Sequence, residues 1–289
     1  MDFGKIQRLT AEEFAKFSKL VYDESGIFMK EAKITLLSNR LRKRLSELKI
    51  ETFSEYYEYI NNLKDKHVEI EALLDVVSTN ETYFFRNERH FEALSKKCFQ
   101  DIAERKKDRK LRIWSAGCST GEEPYTISIC VNEQMSLFKG WDIEILATDI
   151  AYSVMEFAKI GRYSGRRIEK VPPDLLKKYF KQVPGVDDVL EITDDVRKLV
   201  KFKPLNLFKD SFPADVDIIF CRNVMIYFDK EHQKLLVSNF YKSINKSDGY
   251  FFIGHSETLH SVSDDFIYVK ILDAPIYIPK ERKNEFSNR

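Results

Sequence analysis

The first part of the chain has the hydrophobic periodicity of amphipathic helices. Apolar residues in the stretch KITLLSNRLRKRLSEL recur every three or four positions and would form one stripe along a helix: Ile34, Leu37, Leu41, Leu45 and Leu48. Almost no alternation of β-branched residues interrupts this pattern in the first ~80 residues. Residues 1–79 are therefore predicted to form an all-helical domain, and residues 80–289 are predicted to form a second domain.

After the helical region, short apolar runs alternate with helical stretches, which is typical of an α/β protein with a mostly parallel sheet. The runs with strand character are LRIWSA (111–116), IEILATDI (143–150), VKFKPLNL (200–207), VDIIFCRN (216–223) and YFFIGHS (250–256). Helices are predicted at 122–137, 151–160 and 229–245. FIYVKI and APIYIP lie too close together for a crossover helix, so they are predicted to pair as an antiparallel hairpin. The predicted fold class is α/β, with a doubly wound, Rossmann-like sheet.

Two further segments need their own interpretation. The connection over residues 161–202 is too long for a plain loop between a helix and a strand. Within it, PPDLLKKYF has helical character and VLEIT has strand character, so we predict a small antiparallel β insert. The last ten residues, KERKNEFSNR, are predicted to be a frayed tail.

Composition argues against several classes of protein. The 289 residues include 47 Lys and Arg and 46 Asp and Glu, so a net charge of +1 creates no global attraction to nucleic acid or membrane. The start is not a secretory leader, and no apolar stretch approaches the roughly 20 residues that span a bilayer. We therefore expect a cytoplasmic protein without direct membrane insertion. The cysteines lack the spacing of disulfide or zinc frameworks, which predicts reduced thiols and no metal: Cys98, Cys118, Cys130 and Cys221.

The stretch WSAGCSTGEEPYT (114–126) predicts a ligand-binding turn between a strand and a helix. Gly117 and Gly121 permit positive φ and a close approach of the backbone to a ligand. A phosphate cradle would include Lys or Arg, but this turn is followed by two glutamates. The next strand ends in Asp149, where a carboxylate typically binds ribose hydroxyls. Together these residues predict a nucleoside that lacks phosphate and carries positive charge, and S-adenosylmethionine fits that description.

Two acidic residues near the turn each allow a second interpretation. Thr120 and Glu123 have the T-x-x-E spacing of a capping box, in which Glu123 would bond the helix N-terminus instead of a ligand. Asp149 would likewise be the N-cap of the following helix. From these residues alone, cap and ligand contact are equally supported.

A basic flank lies beside the apolar stripe of the helical domain, and its residues are Lys33, Arg40, Lys43 and Arg44. These charges lack an acidic residue four positions earlier that would neutralise them. Two interpretations are open: a solvated helix flank, or a docking surface for an acidic partner.

The chain resembles the CheR family in a series of motifs that occur in the same order: NETYFFR (80–86), SAGCSTGEEPYT (115–126), ATDI (147–150), CRNVMIYFD (221–229) and GHSE (254–257). Members of this family are S-adenosylmethionine-dependent methyltransferases that methylate glutamates of bacterial chemoreceptors. Of these motifs, the string CRNVMIYF is highly specific for the CheR family. The resemblance implies a protein-glutamate O-methyltransferase of chemotaxis that releases S-adenosylhomocysteine and needs no metal.

The resemblance also implies roles for individual residues. The positions implied for cofactor binding are Asn80, Thr82, Arg86, Glu123, Asp149, Asn206, Leu207, Arg222 and Asn223. Arg86 and Tyr227 correspond to two residues that act beside the transferred methyl group. By residue type alone, Arg86 would more often form a surface ion pair and Tyr227 would more often pack in a core. No catalytic role is expected for His255 or Glu257.

The implied reaction makes chemical sense without a paired general base. A glutamate side chain, with a pKa of about 4.3, is already an anion at neutral pH and can attack a sulfonium methyl directly. Arg86 would hold the acceptor carboxylate through a fork of hydrogen bonds, and Tyr227 would place its hydroxyl near the methyl. Catalysis would then depend mainly on proximity and alignment.

In the family, a positively charged helix docks on the acidic methylation helices in the cytoplasmic region of the receptor, so the basic flank is the candidate docking surface. Some members use the insert to hold a tether peptide at the receptor's C-terminus, and the loop VPGVDD does not decide this point. One rival hypothesis is a cofactor-loaded sensor that docks without methylating, but the presence of both Arg86 and Tyr227 argues against it. Another is a methyltransferase of small molecules or nucleic acid, of which the near-zero net charge disfavours nucleic acid.

Overall fold

The computed structural model describes residues 8–286, which begin with a helical domain. Its helices are α1 (Ala11–Ser25), α2 (Ile34–Leu48), α3 (Phe53–Asn62) and α4 (His67–Val77), and a 3₁₀ turn, Glu31–Lys33, leads into α2. Capping boxes begin α1 and α3. The side chains of Thr10 and Thr52 each accept a hydrogen bond from the backbone N–H of the third helical residue, a glutamate, whose carboxylate accepts one from the threonine N–H.

The apolar stripe of α2 packs into the core of this domain, as its periodicity predicts. Leu37, Leu41 and Leu45 are at most 1% exposed, and they share one hydrophobic cluster with Phe17 of α1 and Tyr56 of α3. Burying each leucine contributes about 1.5–3 kcal/mol relative to leaving it exposed. The helical region therefore has a core of its own.

The rest of the described chain is built on a long sheet and a short one. The strands are β1 (Lys110–Ala116), β2 (Asp142–Asp149), β3 (Arg162–Tyr163), β4 (Phe180–Gln182), β5 (Leu190–Ile192), β6 (Val200–Pro204), β7 (Ile218–Cys221), β8 (Tyr250–Ile253), β9 (Phe266–Ile271) and β10 (Ala274–Pro279). The long sheet has seven strands in the order β6-β2-β1-β7-β8-β10-β9. Pairing from β6 through β8 is parallel, and β10 pairs antiparallel with both β8 and β9. The prediction of a mostly parallel, doubly wound sheet is confirmed.

Helices cover both faces of the long sheet. The helices that follow the helical domain are α5 (Glu88–Ala93), α6 (Phe99–Arg105), α7 (Glu122–Glu133), α8 (Tyr152–Ile160), α9 (Pro173–Tyr179), α10 (Asp194–Arg197), α11 (Lys230–Ser243) and α12 (Lys283–Phe286), and a π-helical turn, Leu94–Cys98, joins α5 to α6. Along β7, Ile218 and Phe220 pack toward α5 and α7, whereas Ile219 and Cys221 pack toward α11. Burial on both faces explains the continuous apolar runs of these strands. No helix within residues 8–286 is both long and apolar enough to cross a membrane.

The predicted hairpin of β9 and β10 is confirmed. Its two turn residues, Leu272 and Asp273, have φ of 47° and 63°, and positive φ at both positions is characteristic of a type I′ turn. Three strands end two or three residues earlier than predicted: β6 at Pro204, β7 at Cys221 and β8 at Ile253. The residues that follow β6 and β7 leave the sheet and form part of a cavity wall.

The predicted insert is a three-stranded antiparallel sheet in the order β3-β5-β4. VLEIT contains β5, and PPDLLKKYF contains α9. A 3₁₀ turn, Gly165–Arg167, follows β3, and Tyr163 Oη donates a hydrogen bond to Thr120 O at 2.7 Å. The insert therefore rests on the carboxyl edge of the long sheet, beside the glycine turn.

The prediction of a frayed C-terminal tail is wrong for most of that segment. Lys280–Arg282 forms a 3₁₀ turn that continues into α12. Arg282 is 1% exposed and donates to Asp101 Oδ2 at 2.7 Å and to Gly249 O at 3.0 Å. The composition misled because internal partners, distant in sequence, pair with this charge; the final three residues of the predicted tail lie outside the described range.

Candidate functional site

A cavity of about 340 Å³ lies beyond the carboxyl ends of the parallel strands, where open α/β sheets bind their ligands. The linker after α4, the glycine turn after β1 and the loops after β2, β6 and β7 contribute to its wall. Ser25 and Ile27 of the helical domain also line it. The structure brings together on this wall every residue implied for the cofactor and the reaction: Asn80, Thr82, Arg86, Glu123, Asp149, Asn206, Leu207, Arg222, Asn223 and Tyr227.

The glycine turn (residues 117–121) has the backbone that its sequence predicts. Gly117 and Gly121 have φ of 83° and 93°, in the left-handed region that favours glycine. A Cβ on Gly117 would lie 2.4 Å from Val224 Cγ2, so only glycine lets this turn approach the loop after β7. The turn and that loop therefore form adjacent walls of the cavity.

Asp149 holds the turn from the end of β2. Its carboxylate accepts hydrogen bonds from Ser119 N at 2.7 Å and Ala151 N at 3.0 Å. The N-cap of α8 is Ala151, which caps no amide with a side chain, so the N-cap interpretation of Asp149 is wrong. Burial raises the pKa of the Asp149 carboxyl, and the backbone amides oppose that rise.

Glu123 is not the partner in a capping box. The N-cap of α7 is Gly121, and Thr120 Oγ1 donates to Glu122 Oε2 at 2.7 Å instead of capping the helix. Glu123 accepts from Ser115 Oγ at 2.7 Å and pairs with Arg222 Nη1 at 3.1 Å. Burial raises the pKa of the Glu123 carboxyl, and Arg222 opposes the rise. Glu123 therefore lies in the cavity wall without capping the helix, and its contact with a ligand stays a prediction.

Arg222 joins two walls of the cavity from a buried position, with 6% of the residue exposed. It pairs with Glu123 and donates through Nη2 to the carbonyl of Arg86, and its guanidinium lies 5.3 Å from the centroid of the Phe91 ring. Burial lowers the pKa of the Arg222 guanidinium. Its Nε is buried without a hydrogen-bond acceptor among the described residues.

Arg86 and Tyr227 differ from the alternatives that their residue types favour. Arg86 makes no ion pair with a described residue; Nη1 donates to Glu81 O at 2.9 Å, and the guanidinium lies 5.8 Å from the Tyr83 ring centroid. Tyr227 ends a 3₁₀ turn, Met225–Tyr227, is only partly buried and lines the cavity. Neither a surface ion pair nor core packing describes these two residues.

Asn206 makes more internal contacts than a pure ligand contact would. Its side chain donates to Glu24 O at 2.8 Å, at the end of α1, and accepts from Phe208 N at 2.9 Å. In the linker after α4, Asn80 O accepts a hydrogen bond from Ser119 Oγ at 3.0 Å. Both asparagines therefore help hold the wall together, and their direct contact with a cofactor stays a prediction.

Glu257 is a residue whose function the sequence interpretation missed. Its carboxylate accepts from the amides of Gly254 at 2.5 Å, Asn223 at 2.8 Å and Ile226 at 3.2 Å. Burial raises its pKa, whereas these amides lower it. The available signal was its place in GHSE at the end of a strand. The carboxylate gives the loop after β7 the shape that presents Asn223 and Tyr227.

The basic flank presents less free charge than its sequence indicates. Arg44 forms ion pairs with Glu69 at 2.6 Å and Glu47 at 3.0 Å. Arg40 donates to the carbonyl of Val77 and to Thr79 Oγ1 at 2.7 Å. Because these partners come from α4, from the linker and from later in α2, searching four positions earlier could not find them. The flank therefore keeps two exposed cations, Lys33 and Lys43.

The cavity fits a cationic nucleoside. Its volume lies within the range of small-molecule sites, and its charged lining residues are Glu81, Arg86, Glu123, Asp149 and Arg222, with no lysine. The partnerless Nε of Arg222 offers a donor to a ligand that brings an acceptor. Within residues 8–286, no cluster of three metal-ligating side chains is present.

Two family profiles match the chain, one described as "CheR methyltransferase, SAM binding domain" over residues 80–274 and one as "CheR methyltransferase, all-alpha domain" over residues 12–78. A chemotaxis protein methyltransferase of Borreliella burgdorferi is 41% identical over 259 residues, which cover 87% of this chain and 89% of that protein. The chemotaxis protein methyltransferase 2 of Pseudomonas aeruginosa is 35% identical, covering 93% and 94%. The Escherichia coli relative is 33% identical, covering 89% and 88%. The chain therefore belongs to the CheR family of S-adenosylmethionine-dependent methyltransferases.

Proposed function

We propose that this protein methylates the γ-carboxylate of glutamates in bacterial chemoreceptors, using S-adenosylmethionine. The observation that carries the proposal is the convergence on one cavity wall of all the residues that the family motifs imply. Chemotaxis methyltransferases as relatives over most of the chain support receptors as the class of substrate.

The cavity residues divide the work of holding the cofactor. When bound, S-adenosylmethionine supplies an electrophilic methyl group on a sulfonium. Asp149 at the end of β2 is placed to accept the ribose hydroxyls, and Glu123 is placed to face the positive end of the cofactor. Arg222 fixes the orientation of Glu123 through their ion pair. Both carboxylates act as anions, so their raised pKa values set a lower pH limit for binding.

Arg86 and Tyr227 are proposed to act on the acceptor. The receptor glutamate arrives as an anion and needs no base. Arg86, which has no carboxylate partner among the described residues, is available to hold that anion through two parallel hydrogen bonds. Tyr227 offers its hydroxyl at the same cavity. Alignment of the reacting atoms then supplies on the order of 7–11 kcal/mol of the barrier reduction.

The test is transfer of tritium from methyl-labelled cofactor to purified receptor cytoplasmic fragments. We expect label in the receptor that mild alkali releases as methanol, because a carboxyl ester is base-labile. Label that resists alkali would indicate N-methylation and overturn the proposal. Cofactor binding without any transfer would favour the alternative of a docking sensor.

Docking of the receptor on the helical domain stays part of this proposal. Lys33 and Lys43 are the exposed cations of the basic flank, and Arg40 bonds Val77 and Thr79, which line the cavity. Charge reversal at Lys43 is expected to weaken receptor binding without altering cofactor binding. A tether peptide on the insert remains a separate hypothesis, which calorimetry with receptor C-terminal peptides would test.

A further inference from the structure

A segment of the insert contacts both sides of the cofactor cavity. This strap (residues 163–170) begins at Tyr163, whose hydroxyl donates to the carbonyl of Thr120 in the glycine turn. Near its other end, the Lys170 ammonium lies 4.8 Å from the ring centroid of Tyr83, which belongs to the linker segment 80–86. The linker segment ends at Arg86, and Glu123 follows two residues after the glycine turn.

Arg167, in the middle of the strap, forms an ion pair with the buried Glu122. Glu122 is 0% exposed, and Arg167 Nη1 also donates to Thr120 Oγ1 at 2.5 Å. Thr120 Oγ1 in turn donates to Glu122 at 2.7 Å. Arg167 therefore neutralises a carboxylate at the first turn of α7, directly before Glu123.

The backbone of the same residue holds the other wall. Arg167 O accepts a hydrogen bond from Phe84 N at 2.9 Å, two residues before Arg86. The Phe84 ring packs edge-on against Tyr163 and Phe180, at 4.9 and 5.2 Å between centroids. The position of Phe84, and with it the start of the turn that presents Arg86, depends on the strap.

We propose that Arg167 is a positioning residue that sets the spacing between the glycine turn and the linker segment, and thereby the shape of the cofactor cavity. Its side chain anchors the strap to the turn, and its carbonyl anchors the linker to the strap. Because the anchored carboxylate is fully buried, loss of the cation leaves it without a charged partner, and the turn must shift to compensate. The inference about turnover rests on the proposed function, whereas the inference about cofactor binding does not.

The test compares Arg167→Ala with Arg166→Ala. Arg166 is the adjacent residue in the same 3₁₀ turn, it is exposed, and no hydrogen bond or ion pair to it is described, so it controls for loss of charge on the insert. We expect Arg167→Ala to raise the Kd of S-adenosylhomocysteine in calorimetry by about tenfold or more, and Arg166→Ala to leave it within about twofold. An Arg167→Ala protein with the wild-type Kd would overturn the proposal.

Glu122→Gln and the double variant separate positioning from general stabilisation. If Arg167 acts through the buried carboxylate, adding Glu122→Gln to Arg167→Ala restores part of the lost affinity, since no unpaired charge remains. A purely structural role predicts additive losses in thermal stability with an unchanged Kd, and that result counts against the proposal. Should Arg167→Ala fail to fold, Glu122→Gln alone decides: a Kd several times higher supports the role, and an unchanged Kd refutes it.

Turnover provides an independent readout at saturating cofactor. We expect Arg167→Ala to remain slower than wild type even then, because Phe84 and the turn that carries Arg86 are displaced, and Arg167→Lys to recover part of the rate. Equal rates at saturation would refute the positioning of Arg86. A wild-type protein that does not bind S-adenosylhomocysteine would overturn the proposed function, whereas normal wild-type binding with an unaffected Arg167→Ala variant overturns only this inference.

Discussion

At the scale of single residues, the cavity is organised by a few buried charges whose partners are fixed. Arg222 connects Glu123 to the backbone of Arg86, so two walls share one cation. Arg86 itself has no carboxylate partner among the described residues. This difference separates a cation that holds the site together from one that is available to an incoming anion.

Replacing Arg86 by alanine is expected to separate binding from turnover. The variant should bind S-adenosylhomocysteine within a few-fold of wild type but lose about a hundredfold or more in kcat, because the acceptor is no longer aligned. Arg86→Lys should not recover the rate, since an ammonium lacks the planar fork. Arg89→Ala, an exposed arginine in α5, is the control. Unimpaired turnover of Arg86→Ala would remove it from the catalytic residues.

The pH dependence of cofactor binding follows from Glu123 and Asp149. Burial raises both pKa values above the ordinary 4.5 and 3.8, so both carboxylates ionise at a higher pH than exposed ones. Each must be ionised to attract a cationic ligand or accept ribose hydroxyls. Affinity for S-adenosylhomocysteine should therefore rise with pH above these ordinary values, with proton release on binding below the raised pKa. Calorimetry in buffers of different ionisation enthalpy measures both; constant affinity from about pH 4 to about pH 7 would contradict this account.

At the scale of elements, the short loops that follow the strands carry the cavity residues, and the strands position those loops. The loop after β7 has Asn223 in the left-handed region, with φ of 59°, followed by the 3₁₀ turn that presents Tyr227. Such a loop has few backbone hydrogen bonds of its own, and Glu257 supplies acceptors for them. An acceptor that serves three amides at once replaces a regular hydrogen-bond ladder.

Glu257→Gln is expected to disturb this loop without changing its volume. One oxygen becomes an amide nitrogen that cannot accept, so at least one backbone N–H loses its partner. We expect kcat to fall by about tenfold and the Kd of the cofactor to rise, because both Tyr227 and Asn223 shift. His255→Ala, an exposed neighbour in the same motif, should keep wild-type kinetics. Equal kinetics for Glu257→Gln and wild type would show that the loop holds its shape alone.

At the scale of the whole molecule, the helical domain completes the cavity. Ile27 pairs with Phe228 as an antiparallel bridge, and Phe28 N donates to Tyr227 O at 2.8 Å. Close by, Tyr22 Oη donates to Asp229 Oδ2 at 2.5 Å. The domain expected to dock receptors therefore also holds the backbone of the proposed catalytic tyrosine.

Tyr22→Phe should loosen this interface while leaving each domain folded. The variant loses the hydrogen bond to Asp229, and the neighbouring Phe28 amide should exchange with solvent several times faster because it opens more often. Turnover should fall by a few-fold. Tyr59→Phe, in α3, is the control, and no hydrogen bond of its hydroxyl is described. Unchanged exchange at Phe28 would mean that other contacts hold the domains together.

Much of this arrangement was predictable from the sequence, because periodicity and motifs act locally. The stripe of α2 marks a buried helix face, the apolar runs mark two-sided strands, and the glycine turn requires residues without a Cβ. The family motifs identified residues that all line one cavity. Each of these signals lies within a few consecutive turns or strand residues.

Only the tertiary structure decided which partner each charge and polar group takes. Arg44 pairs with Glu69 of another helix, Arg282 is buried in a segment that looked like a tail, and Glu257 bonds amides in a distant loop. The physical reason is that buried charges and amides must be satisfied, but any residue that the fold brings within hydrogen-bond distance can satisfy them. The amino-acid order determines where the strands, helices and glycine turn form, and the packed fold determines which of their side chains meet.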